Sequence, residues 1–148
     1  MIVTFCGHSD FIPSEHHEKM ILNFLEEKIG DQSAELYLGG YGNFDRFSLL
    51  CGKKFQSLHP DTKLVFISPY MPIDLEKNKL KQIEADYDEI IYPSLENVPK
   101  RVAISRRNRW MAEQADYVVA YVIRSFGGAY QTLQHAKKSH KEIFAVLP

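Results

Sequence analysis

Three glycine-bearing turns carry the residues best suited to chemistry: Gly7-His8-Ser9-Asp10, Gly39-Gly40-Tyr41-Gly42 and Ser125-Phe126-Gly127-Gly128. Each follows an apolar run and precedes a helical pattern. In a parallel sheet, turns of this kind bring backbone N–H groups and the positive ends of helices to one edge, where phosphate or carboxylate is held. Gly39, Gly40 and Gly42 let a ligand approach the main chain closely, and Asp45, in the first turn of the next helix, can hydrogen-bond a ribose hydroxyl. The same residues equally suit a plain tight turn with a carboxylate complementing the helix dipole. Gly127 and Gly128 carry both readings too, and Thr132 adds a hydroxyl that can reach a ligand or bond back to its own helix.

Arg106, Arg107 and Arg109 form a dense basic group with Asn108. Successive helical positions lie about 100° apart, so the three guanidiniums cannot converge on one ligand. Arg107 with Asn108 is the pair read as ligand-binding, since the planar guanidinium fork matches phosphate or carboxylate; a solvated basic face is the competing reading. Cys6, His8 and Asp10 can be drawn as nucleophile, base and orienting acid. Cys6 belongs to a buried strand, however, which favours His8, beside Ser9, as a ligand contact or loop brace. Tyr70, in Pro69-Tyr70-Met71-Pro72, is placed to stack on a base or close a pocket. The adjacent His16 and His17 diverge on a helix, and Cys6 and Cys51 lack metal-ligand spacing, so no metal site and no disulfide is expected.

The elements that must position these residues fit in one domain spanning 1–148, the commonest size for a single core. The chain is 45% hydrophobic and 25% charged, as expected of a globular protein and not of a disordered one. Lys and Arg total 18 against 19 acidic residues, which argues against general nucleic-acid binding and makes any anion site local. The apolar start, Met1 to Cys6, is too short for a signal peptide or membrane span, so a cytoplasmic protein without membrane attachment is expected.

Ile2 to Cys6 reads as a buried strand, and Ser14 precedes a helix with Met20, Ile21, Phe24, Leu25 and Ile29 on one face. Ala34 to Leu38 is a second strand. A helix capped by Asn43 follows, carrying Phe44, Phe47, Leu50, Cys51, Phe55 and Leu58. Lys63 to Ile67 is a third strand, Leu75 to Asp86 a short exposed helix, and Glu89 to Tyr92 a small strand. Pro99 starts a helix continued by Arg101 to Gln114. Asp116 to Ile123 is the strongest strand, and its lack of polar alternation predicts burial on both faces. A helix from Gly128 to about Ser139 and a strand from Glu142 to Leu147 complete an α/β pattern: a Rossmann-like three-layer sandwich with a mostly parallel central sheet.

Four stretches together resemble the motifs of the bacterial SLOG superfamily, specifically its YpsA-like branch. They are Phe5-Cys6-Gly7-His8, Gly39-Gly40-Tyr41-Gly42-Asn43-Phe44-Asp45, Arg107-Asn108-Arg109-Trp110-Met111 leading to Ala115-Asp116, and Gly127-Gly128-Ala129-Tyr130-Gln131-Thr132 with Ala136-Lys137-Lys138. The resemblance covers essentially the whole chain. It implies a Rossmann-like fold, a pocket for a nucleotide or nucleotide-derived ligand at the glycine turns, and a homo-oligomer, since relatives often pair. The related Lonely Guy phosphoribohydrolases carry PGGxGTxxE. Here Phe126 replaces the proline, Tyr130 stands at the second-glycine position, and Gln134 stands where the acid would be. An amide neither exchanges a proton near neutral pH nor steadies an oxocarbenium-like centre. The expectation is therefore a sensor or binding module for a nucleotide-type ligand, with no firmly implied cofactor. The alternative is a hydrolase of a nucleoside phosphate or related N-glycoside using Asp45, Asp10 or His8, and a scaffold presenting Tyr70, Phe126 and Tyr130 is the third reading.

Overall fold

The computed structural model describes all residues, Met1–Pro148. Six strands form one sheet in the order β4-β3-β2-β1-β5-β6, with every neighbouring pair parallel. They are β1 (Ile2–Gly7), β2 (Ala34–Leu38), β3 (Thr62–Ile67), β4 (Glu89–Ile91), β5 (Tyr117–Tyr121) and β6 (Glu142–Ala145). Between them run α1 (Glu15–Lys28), α2 (Asn43–Leu58), α3 (Lys77–Asp86), α4 (Ala103–Gln114) and α5 (Gly128–Lys138). The expected Rossmann-like sandwich is present, and its sheet is wholly parallel.

The period of two along the strands divides the core into layers. Val3 and Phe5 of β1, Leu36 and Leu38 of β2 and Val119 of β5 join Ile21, Leu25, Phe44 and Phe55 in the larger apolar cluster, beneath α1 and α2. From the opposite face, Cys6, Val118 and Ala120 pack against Ala112 and Ala136 of α4 and α5. Tyr37, Val65 and Ile67 meet Met111 of α4 on that same side. Both cysteines are buried free thiols, and burial pushes each up to about 12, so neither is a thiolate near neutral pH.

Helix ends follow local chemistry. Ser14 caps α1 by accepting the His17 N–H, as its position before the apolar face predicted. The start of α2 differs from expectation: Gly42, at φ 92°, is the cap, and Asn43 is the first helical residue. The Asn43 side chain instead donates to the Phe11 carbonyl at 3.1 Å, and its N–H donates to Ser9 O at 3.0 Å. Asn43 thus ties α2 to the loop after β1. Pro99 leads first into a single 3-10 turn, Lys100–Val102, before α4 begins at Ala103. The strand expected to reach Ile123 stops at Tyr121, where pairing with β1 ends at Gly7.

Candidate functional site

From β1 the chain winds to one side through β2, β3 and β4, and then crosses back to lay β5 and β6 on the other. The winding therefore reverses between β1 and β5. Strand ends diverge at such a point and leave a crevice outside their carboxyl ends. A cavity of 280 Å³ occupies it here, bounded by Gly7, His8 and Ser9 after β1, Tyr41 and Asp45 at α2, Ile104 and Asn108 of α4, and the stretch from Arg124 to Thr132.

The two loops at the reversal are fastened together. Ile123 N–H donates to Nε2 of His8 at 2.9 Å, which makes that nitrogen an acceptor and places the imidazole proton on Nδ1. Burial and the Arg124 charge hold the His8 pKa below its usual value, with Asp10 acting in the opposite sense. His8 is a neutral brace whose base lone pair is already engaged. With Cys6 a buried thiol and Asp10 in a bidentate pair with Arg124 at 2.8 and 2.9 Å, those three side chains form no nucleophilic set.

Asp45 is the half-buried carboxyl of the cavity. Its Oδ2 accepts the Tyr41 N–H at 2.9 Å, yet burial pushes its pKa up to about 6, against the opposing pull of that hydrogen bond and of the Arg107 charge. Asn108 accepts from Arg107 Nε at 2.9 Å through Oδ1, which leaves its amide N–H groups free toward the cavity.

On the opposite wall, Gly127 caps α5 with φ 92° and no capping side chain. The first N–H groups of α5 thus lack intrahelical acceptors and face the cavity region. A Cβ built on Gly128 would meet nothing within 4 Å, so open space lies over the start of this helix. Thr132 is buried beneath it and donates its hydroxyl to Gly128 O at 2.9 Å, bonding back to its own helix while leaving an oxygen lone pair.

Of the residues singled out in the sequence, Gly7, His8, Ser9, Asp45, Asn108, Gly127, Gly128 and Thr132 line this cavity. Gly39, Gly40, Gly42, Tyr70 and Arg107 do not. Gly42 packs on Ser9, where a Cβ would lie 2.9 Å from the Ser9 Cα. Gly40 lines a separate cavity with Phe66 and Tyr87, and Tyr70 lines another with Tyr92 and Val98. Arg107 is 1% exposed, and its Nη1 donates to Ile67 O at 2.6 Å and Gly39 O at 2.9 Å. Its charge acts inside the protein: it ties the ends of β2 and β3 to α4.

Sequence reasoning missed Arg124 and Ile104 at the cavity. Arg124 sits just past β5, with its guanidinium 5.9 Å from the centre of the 68%-exposed Phe126 ring. Its only signal was a cation between an apolar strand and a glycine turn. Ile104 bore a helical position that periodicity could not distinguish from a core one.

No group of three or more His, Cys, Asp or Glu side chains is arranged to hold a metal ion. No helix is long and apolar enough to cross a membrane. The chain matches no protein-family model and no curated protein.

Proposed function

We propose that this protein binds a nucleotide or nucleotide-derived ligand at the carboxyl edge of its parallel sheet, as a sensor or binding module of the SLOG type, YpsA-like branch. The observation that carries the reading is the open space over Gly128 at the side-chain-free start of α5, facing Asp45 and Asn108 across the cavity at the winding reversal. An anionic group suits the N–H groups of α5, and hydroxyl groups suit the carboxyl and amide opposite. Gly7 and Ser9 supply main chain between these poles.

Thermal shift against a panel of adenosine, guanosine and uridine 5′-phosphates and ADP-ribose tests this. A bound ligand at a hundred times its dissociation constant raises stability by about 2.7 kcal/mol. The shift is expected to vanish in Gly128→Val, whose Cβ meets nothing within 4 Å and carries its methyl groups into the space proposed for the ligand. A panel with no shift, or an undiminished shift in the variant, rejects the reading.

One observation favours the hydrolase as a second reading. Asp45, with its pKa near 6, can exchange a proton close to neutral pH inside the cavity, a capacity that Gln134 lacks. Free base or sugar phosphate released from a shifted ligand, detected by mass spectrometry and lost in Asp45→Asn, would establish it.

A further inference from the structure

Arg106 and Arg109, which the sequence placed in the basic group but not in the ligand-binding pair, border a further cavity of 200 Å³ whose lining contains no hydrophobic residue. Helical spacing explains the division of the arginines. Ala103, Arg107 and Met111, four apart, point into the core, so Arg106 and Arg109, three apart, share the flank of α4 beside α5. Gln131 and His135, also four apart, face them from α5. Gly128 and Thr132 belong to both cavities, which therefore meet at the N-terminal end of α5.

The charge is unbalanced in favour of an anion. Glu113 Oε1 accepts Arg109 Nε at 3.3 Å and lies 2.9 Å from His135 Nε2, while Arg106 is paired with no carboxylate. Glu113 is thus divided between Arg109 and His135, and the Arg106 guanidinium has no counter-charge. Arg109 and Glu113 are 56% and 43% exposed, and so weak a pair yields readily to a better acceptor. A phosphoryl group supplies three oxygens to a guanidinium fork and gives the short charge-assisted bonds that the long Arg109–Glu113 contact lacks.

We infer that the ligand carries a second phosphoryl group, seated between α4 and α5 on Arg106 and Arg109. The inference rests on the proposed nucleotide site and narrows its ligand to doubly phosphorylated compounds. A nucleoside diphosphate has the second group adjacent to the first, and a nucleoside 3′,5′-bisphosphate has it across the ribose.

Titration calorimetry with AMP, ADP and adenosine 3′,5′-bisphosphate tests it. ADP or the bisphosphate is expected to bind at least about tenfold more tightly than AMP. ADP as the tighter ligand identifies the diphosphate arrangement, and the bisphosphate the other. In the double variant Arg106→Ala, Arg109→Ala, that advantage should fall below about threefold, with a shallower salt dependence. Both side chains are exposed, and an unchanged melting curve verifies that the double variant folds. Equal binding of all three compounds, or a full advantage retained by the double variant, overturns the inference while the nucleotide site stands. Failure of all three to bind overturns the inference, and the nucleotide site falls with it when the whole thermal-shift panel is silent as well.

Discussion

Arg107 Nη1 lies 2.9 Å from the carbonyl oxygen of Gly39, so the guanidinium expected to meet a ligand instead closes a polar gap at the end of β2. A Cβ on Gly39 would come within 3.0 Å of Arg107 Nη2 and 3.1 Å of Asp45 Oδ2, so glycine makes room for both groups. Arg107→Met leaves the carbonyls of Gly39 and Ile67 without their donor. The variant should lose about 2–5 kcal/mol, read as a lower urea midpoint at unchanged slope. Wild-type stability in Arg107→Met would refute this structural role.

Asp45 gives the site a pH dependence of definite sign. Its pKa is about 6 in the folded chain against an ordinary 3.8, so folding favours the protonated carboxyl. The stabilisation is complete below the ordinary value and is lost as pH rises through about 6. Relative to Asp45→Asn, whose amide oxygen can still accept the Tyr41 N–H, the wild type should lose on the order of 1–3 kcal/mol over that interval. Parallel pH profiles of the two proteins, from melting curves taken across it, would refute the shift.

At the far end of the molecule, His59 clasps two carboxylates: Nε2 lies 2.7 Å from Glu26 and Nδ1 2.6 Å from Asp31. Hydrogen bonding to Glu26, then to Asp31, raises its pKa above the usual 6.5. The clasp joins the end of α2 to α1 and the loop after it. Its contribution is full below the unfolded pKa and disappears as pH rises through the folded one. His59→Gln should therefore melt below wild type at about pH 6 and approach it at about pH 9. A constant gap across that range would show that the imidazolium is not what holds the clasp.

Much of the architecture was legible because it depends on neighbours along the chain. Apolar runs separated by helical patterns gave each strand and helix, since a parallel strand covered on both faces has no polar alternation to obscure it. Ser14 announced α1 because an N-cap bonds within three residues. Asn43 misled for the complementary reason: its side chain is drawn to Phe11 O, thirty-two positions away, and the cap falls to Gly42.

The order of residues alone determined which chemical groups the cavity could hold: glycines at strand ends, Asp45 in the first turn of one helix, Thr132 in the helix after Gly127-Gly128, and Asn108 beside a guanidinium. Folding in three dimensions decided which of them face it. The helical period separates Arg107 from Arg106 and Arg109 by angle. Whether the inner position meets a ligand or two carbonyls, however, depends on where the ends of β2 and β3 lie, and those ends belong to residues 40 and 68 positions away. Arg124, Ile104 and the His8 brace to Ile123 likewise emerge from the crossing between β1 and β5, because contacts over 115 positions leave no local periodicity in the chain.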